Sequence, residues 1–330
     1  MMILAGDIGG TNTRLSLYRV TEGNLGECAK KTYPSREHEG LTSIVQLFTA
    51  EHSHRIDHAC FGISGPVQNG RGKPSNLPWV VDSAIMASQL QAKSASLIND
   101  LEANAYGIAA LRDSDFAVLN EGASGAVGNA AVISAGTGLG EAGLYWDGKR
   151  HHPFACEGGH ADFSPRNELE IELLRYLLKS YAHVSYERVL SGPGLRNIYN
   201  FLRDTRRGKE CPEVVDAMHT QDPSAVIAQA ALAERCELCV QALEIFVTLY
   251  GAAAGNFALK TMATGGVFVG GGIAPKIIEK LKGPAFMQAF TDKGRLSLVC
   301  AAIPVKVILN PNTALMGTAR YAAMQASLLN

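Results

Sequence analysis

Short apolar runs joined by a bare glycine turn admit few folds, and this chain carries that pattern twice. Ile3-Leu4-Ala5 leads through Gly6-Asp7-Ile8-Gly9-Gly10-Thr11-Asn12 into Leu15-Ser16-Leu17-Tyr18, which reads as strand, tight turn, strand. Sliding the chain until Gly9 falls on Gly136 lays Leu17 on Leu144 and Tyr18 on Tyr145, and puts Ser134-Ala135-Gly136-Thr137-Gly138 on the same turn. Without bulky Cβ atoms, backbone N–H groups at such a turn can close on an anion, and a threonine hydroxyl adds a donor. Two copies predict a phosphate chain held from two sides.

A chain of 330 residues exceeds the usual size of one core, so two domains are expected. With 47% hydrophobic and 18% charged residues, either can bury a sizeable core, which argues against disorder. Lys and Arg total 30 against 31 Asp and Glu, with no basic run or aromatic-basic stripe, so nucleic acid and anionic membrane are poor partners. Asp7 and Arg14 interrupt the apolar start and no later stretch reaches 18 uncharged apolar residues, so a cytoplasmic location is expected. Seven scattered cysteines read as reduced thiols, and Cys236-x-x-Cys239 sits in a helical setting with no second C-x-x-C to complete a zinc site.

Along the chain, strands are predicted over 3–7, 14–20, 30–33, 59–63, 95–98, 267–269 and 305–309, and helices over 41–52, 83–91, 101–111, 167–179 and 194–203. A long helix is expected from Ala225 or Glu234 to Met262, and a last one from Thr313 to Gln325. A linker-like patch, 120–128, precedes the second glycine turn. These runs predict a small α/β lobe from 1–110 plus about 303–330, to which the final helix returns, and a large α+β lobe from 111–302.

The Gly-Lys pairs at 72–73, 148–149 and 208–209 lack a following Ser or Thr, which excludes a P-loop, and no G-x-G-x-x-G opens a helix after a strand. Asp7 stands where the first strand enters its turn. A carboxylate beside phosphates calls for a cation, normally Mg²⁺ held through water. Asn99-Asp100 ends a strand, where α/β sheets place ligands, although either residue also suits the N-cap of the next helix. Cys156-Glu157-Gly158-Gly159-His160-Ala161-Asp162 matches no zinc-protease pattern, and its Glu and His suit vicinal hydroxyls. His151, His152, Cys156 and His160 form a weaker alternative, a zinc cluster. Glu187 alone reads as a surface helix residue.

Taken together, these segments resemble the bacterial glucokinases of the hexokinase superfamily, which share the duplicated actin-like ATPase (ribonuclease H-like) fold, two lobes around a nucleotide and sugar cleft. The likeness runs nearly end to end. Gly6, Asp7, Ile8, Gly9, Gly10, Thr11 and Asn12 resemble the first phosphate motif, Ala135-Gly136-Thr137-Gly138-Leu139-Gly140 the second, and Gly266 to Ile273, with Gly270, Gly271 and Gly272, the adenosine motif. Glu157-Gly158-Gly159-His160 and Ser185-Tyr186-Glu187-Arg188-Val189-Leu190-Ser191-Gly192-Pro193-Gly194 resemble the family's sugar segments. In related repressors and sugar kinases a cysteine-rich zinc motif follows the histidine; here Asp162-Phe163-Ser164-Pro165-Arg166-Asn167 stands instead, so structural zinc is not implied.

The resemblance implies ATP-dependent phosphorylation of D-glucose to glucose 6-phosphate, the first step of glycolysis, by a cytoplasmic homodimer. It implies Asp100 as catalytic base, Asn99, Asp100, Glu157, His160 and Glu187 on the sugar, and Asp7 as indirect support for Mg²⁺. A kinase of other or broader hexose specificity, an actin- or chaperone-like nucleotide switch and a non-catalytic sugar sensor remain open, as does ADP in place of ATP.

Overall fold

The computed structural model describes residues 1–329, which form two compact units. The first comprises Met1–Asp113, Pro153–Ala155 and the stretch from Asn310 onward; the second comprises Ser114–His152 and Cys156–Leu309.

The first unit is built on five strands: β1 (Met2–Ile8), β2 (Asn12–Thr21), β3 (Asn24–Pro34), β4 (His58–Ile63) and, after the small three-stranded sheet of β5 (Val67–Gln68), β6 (Arg71–Gly72) and β7 (Val81–Asp82), β8 (Ser94–Asn99). Their order is β3-β2-β1-β4-β8, with β1, β4 and β8 parallel. Alternation along β1 divides its side chains between two faces. Leu4 and Ile8 face a core shared with Phe61 and with Ile44 and Phe48 of helix α1 (Leu41–Ala50). Ile3 and Ala5 face a second core, with Cys60, Ile98 and the C-terminal helix Thr313–Gln325. Helix α2 (Ser83–Leu90) is capped by Asp82, and helix α3 (Asp100–Ile108) packs against the C-terminal helix.

The second unit carries the sheet β12-β11-β10-β13-β14-β9, made of β9 (Phe116–Asn120), β10 (Ala130–Ala135), β11 (Leu139–Trp146), β12 (His151–Cys156, whose Pro153–Ala155 are counted with the first unit), β13 (Gly266–Gly270) and β14 (Val305–Ile308). Beside it lie α4 (Glu168–Leu177), α5 (Gly192–Asp204), α6 (Pro212–Thr220), α7 (Pro223–Leu232) and α8 (Glu237–Thr261). Helix α8 is long and apolar enough to cross a membrane by length and composition, but 72% of its apolar window is buried. It is the central core helix of this unit.

Several sequence expectations shift. The stretch 303–309 belongs to the second unit, because β14 lies between β13 and β9 with Val305 and Val307 fully buried. Of the two starts expected for the long helix, the structure follows the one near Glu234: α8 begins at Glu237, and Glu234, at φ +52°, separates it from α7. Strand β3 is much longer than 30–33, since an edge strand with mostly exposed side chains gives little apolar signal. The segment holding His151, His152 and Cys156 is a strand. Among the described residues no group of three or more His, Cys, Asp or Glu is placed to hold a metal ion.

Candidate functional site

In the first unit the parallel register carries Ile8 to Ile63 and Ile63 to Asn99. The first glycine turn, the Ser64-Gly65 loop and Asn99-Asp100 therefore leave the same carboxyl edge of adjacent strands, where open α/β sheets bind ligands. Within the turn, Gly9 N–H donates to Asn12 O at 2.9 Å. Ser35, fully buried, fixes it from β3's end: its hydroxyl donates to Gly9 O at 2.7 Å, lies 2.9 Å from Thr13 Oγ1, and its N–H donates to Thr11 O. Gly10 is required for space, since a Cβ there would meet Asn76 Cβ at 2.7 Å. No hydrogen bond from the N–H of Gly10 or Thr11 goes to another described residue, so both can serve an anion. Gly6 and Ile8 are packing positions on their side-chain faces: a Cβ on Gly6 would fall 2.5 Å from Phe61, and Ile8 is in the core.

Asp7 pairs in register with Arg14, whose guanidinium reaches Oδ2 at 3.2 Å and also Pro311 O. Burial raises the Asp7 carboxyl above its ordinary range, and Arg14 pulls it back. A single carboxylate beside a phosphate-type turn matches the small protein share of a Mg²⁺ site, where water and phosphate supply most ligands. Asn99 is the N-cap of α3: its Oδ1 accepts from Leu101 N–H at 2.8 Å and Glu102 N–H at 3.4 Å, while Nδ2 donates to Gly65 O at 3.2 Å. One Nδ2 hydrogen is left for a ligand. Asp100 opens the helix, and its Oδ1 accepts from Leu101 N–H at 2.9 Å.

In the second unit the glycine turn, the Glu-Gly-Gly-His turn and Glu187 meet at Leu139. Leu139 N–H donates to Glu187 Oε2 at 3.0 Å, and that same oxygen would lie 2.5 Å from a Cβ on Gly138. Leu139 O lies against Gly159, where a Cβ would come within 1.9 Å, so the 3₁₀ turn Gly158–His160 rests on β11. Pairing of 161–163 with 184–186, through Phe163 N–H to Val184 O and Tyr186 N–H to Ala161 O, ties the histidine turn to the Glu187 turn. Glu157 and His160 are exposed and Glu187 is half-buried, so all three are within reach of a ligand. Gly136 N–H closes onto Gly138 O, Gly192 N–H secures Gly136 O, and the N–H groups of Thr137 and Gly138 donate to no described residue.

The glycines after β13 share the edge of β10 with this turn, since Ser134 is the partner of Gly270 in parallel register. Gly271 has φ +83° and lies against Ala135 O, which a side chain would not permit, while Gly272 is open. Tyr250, fully buried in α8, joins the two segments. Its hydroxyl accepts from Ala135 N–H at 3.0 Å and lies 3.2 Å from both Ile133 O and Gly270 O. Neither Ser35 nor Tyr250 stands out in the sequence, because each braces a turn distant from it in the chain.

Two β-based units, each presenting a glycine turn at the carboxyl edge of parallel strands, together with carboxylates and a histidine suited to hydroxyls, define a sugar kinase of the actin-like ATPase fold. A family model described as Glucokinase matches residues 4–325. The glucokinase of Nostoc sp. (strain PCC 7120) is 42% identical, covering 98% of this chain and 99% of that one. The crystal structure of a glucokinase from an Antarctic psychrotroph superposes with a TM-score of 0.84 at 29% identity, covering 98% and 99% of the two chains. A ROK family glucokinase from Streptomyces griseus, in complex with glucose and AMPPNP, shares the fold at a TM-score of 0.66 and 18% identity, over 98% and 100%. The chain belongs to the glucokinase family.

Proposed function

We propose that the chain transfers the γ-phosphoryl group of ATP to the 6-hydroxyl of D-glucose, giving glucose 6-phosphate and ADP, with Asp100 as general base. The observation that carries this is Leu139, whose N–H holds Glu187 while its carbonyl seats the Glu157–His160 turn, so a hydroxyl-binding set is fastened to a phosphate-type turn. The Streptomyces griseus neighbour, bound to glucose and a nucleotide, supports both ligands.

Phosphoryl transfer needs alignment and charge neutralisation more than covalent help. The N–H groups of Gly10, Thr11, Thr137 and Gly138 hold phosphate oxygens, and the glycines at 270–272 receive the adenosine. Asn99, Glu157, His160 and Glu187 bond the sugar hydroxyls. Asp100 accepts the 6-hydroxyl proton as that oxygen attacks phosphorus, and the bridging bond to ADP breaks. Asp7 would hold Mg²⁺ through water, and the ion, when bound, would supply neutralisation of phosphate charge. A cytoplasmic homodimer is proposed from the family resemblance, and a sedimentation profile at monomer mass refutes the dimer.

The test is a coupled assay for glucose 6-phosphate with ATP or ADP and a panel of hexoses. Glucose with ATP should give the highest kcat/KM, and Asp100→Asn should lose about a hundred- to ten-thousand-fold in kcat with much less change in glucose binding. Near-normal kcat in that variant refutes the base assignment. ATP hydrolysis without any sugar phosphate points instead to a nucleotide switch.

A further inference from the structure

Glu141 lies on β11, next in sequence after the second glycine segment, and only 7% of it is exposed. Its Oε2 sits directly over Gly158: a Cβ built there would fall 1.7 Å from that oxygen and 2.7 Å from the carboxyl carbon. Gly158 stands between Glu157 and His160 and opens their 3₁₀ turn. The turn thus has two supports from β11, the backbone of Leu139 beneath Gly159 and the carboxyl of Glu141 beneath Gly158. Only the second can change its charge.

The groups around this carboxyl give it little help in ionising. Helix α8 presents Lys260, which is exposed, and the buried phenol of Tyr250; β12 presents Cys156, itself under the influence of Glu157. No hydrogen bond to the Glu141 carboxyl comes from any described residue. Burial is the dominant influence and pushes the carboxyl up to about 7, with Lys260 opposing.

We propose that Glu141 is a positioning residue for the sugar-binding turn, holding Glu157 and His160 in their binding geometry while neutral and loosening them when ionised. The proposal rests on the assignment of Glu157 and His160 to the sugar hydroxyls. A neutral carboxyl can rest against the glycine backbone with little solvation. An ionised one without donors must draw in water, and it adds negative charge close to Glu157, so the turn above it has to shift.

Glucose KM and kcat measured from pH 6 to pH 8.5 test this on wild type, Glu141→Gln and Glu157→Gln. Wild-type KM should rise about threefold or more as pH passes through the neutral range, while Glu141→Gln, which mimics the neutral carboxyl, keeps the acid-side KM throughout. Glu141→Gln should also melt higher than wild type at pH 8, with the gap closing at pH 5. The sign follows from a folded-state pKa raised above the unfolded value: stability present at acid pH is lost as pH rises through about 7. A Glu141→Gln profile that follows the wild type, or a wild-type KM flat with pH, overturns the proposal.

A second arm uses the contact itself. Gly158→Ala should raise glucose KM about tenfold in the wild-type background and much less in Glu141→Ala, whose shorter side chain leaves room for the new methyl. Additive effects would show that the contact does not set the turn. Glu157→Gln separates the two levels of failure. If it raises KM while the Glu141 series does nothing, Glu141 alone is misassigned; if it leaves KM unchanged, the sugar assignment falls and the proposal with it.

Discussion

Replacing Tyr250 with Phe isolates one hydroxyl at the centre of the second unit. The ring remains, with its edge-on contacts to Phe246 and Phe286 at 5.9 Å each, so no cavity of consequence opens. What disappears is the acceptor for Ala135 N–H and the donor shared between Ile133 O and Gly270 O. The residue is fully buried and water cannot readily substitute. Stranding a buried N–H costs about 1–3 kcal/mol, and losing the donor to two carbonyls adds to it, for a total of about 2–3 kcal/mol. With about 2.1 cal/mol/K of unfolding entropy per residue, that corresponds to a fall of roughly 3–4 °C in Tm for a chain of 330 residues. Because Ala135 and Gly270 lead directly into the two glycine segments, nucleotide KM should rise more than glucose KM. Calorimetry together with initial rates at saturating glucose reads both effects. A Tm within about a degree of wild type would mean that the ladder hydrogen bonds of β10 and β13 satisfy these groups without the phenol, and the bracing role would fall.

Other outcomes follow from the same structure. Ser35→Ala should lower stability by about 1–2 kcal/mol and raise nucleotide KM, because Gly9 O and Thr13 Oγ1 lose a buried partner; urea unfolding and initial rates check both. Asn99→Ala should cost about 1 kcal/mol of stability through the lost N-cap, separately from any change in glucose KM. His58 is held below its ordinary pKa of 6.5 by burial, so the unfolded chain binds the extra proton and stability falls as pH drops through about 6.5; His58→Gln should flatten that slope in denaturation curves at pH 7.5 and 5.5. Cys28, the exposed thiol among seven free cysteines, should react first with a disulfide reagent, and Cys60, Cys236, Cys239 and Cys300 only after unfolding, as mass spectrometry of the labelled protein will show.

The glycine turns were legible because their signal is local: Gly9-Gly10-Thr11 and Gly136-Thr137-Gly138 admit a close backbone approach whatever surrounds them. Asp7, Asn99 and Asp100 were legible for the same reason, each marking the end of an apolar run. Their surroundings were not. Nothing near Val305 reveals that β14 inserts between β13 and β9, because strand order depends on contacts far apart in sequence. The stretch before Glu234 is rich in alanine and no Gly or Pro separates it from Glu237-Leu238, so the break before α8 is set by packing and not by propensity. Asn99 shows a further ambiguity, since capping a helix and bonding a ligand ask for the same side chain at the same strand end.

That ambiguity extends to how the two turns are held. A glycine turn is cheap in sterics but costly in conformational entropy, so its N–H groups form a defined anion site only if something outside the turn removes its freedom. The first turn is fixed from its own sheet, by Ser35 on Gly9 O. The second is fixed from outside its sheet, by Tyr250 of α8 at Ala135, by Gly192 at Gly136 O and by Glu187 at Leu139. The duplication visible in the sequence therefore stops at the backbone turn. The second turn is locked by a residue proposed to bind the sugar, so on that proposal a bond from glucose to Glu187 acts directly on the N–H array proposed for phosphate. Among the described residues, Ser35 links the first turn to Gly9, Thr11 and Thr13 and to no residue proposed for the sugar. Glu187→Gln should consequently raise the KM for both glucose and ATP, whereas Ser35→Ala should raise that for ATP alone. Equal effects of both variants on the two substrates would remove the distinction.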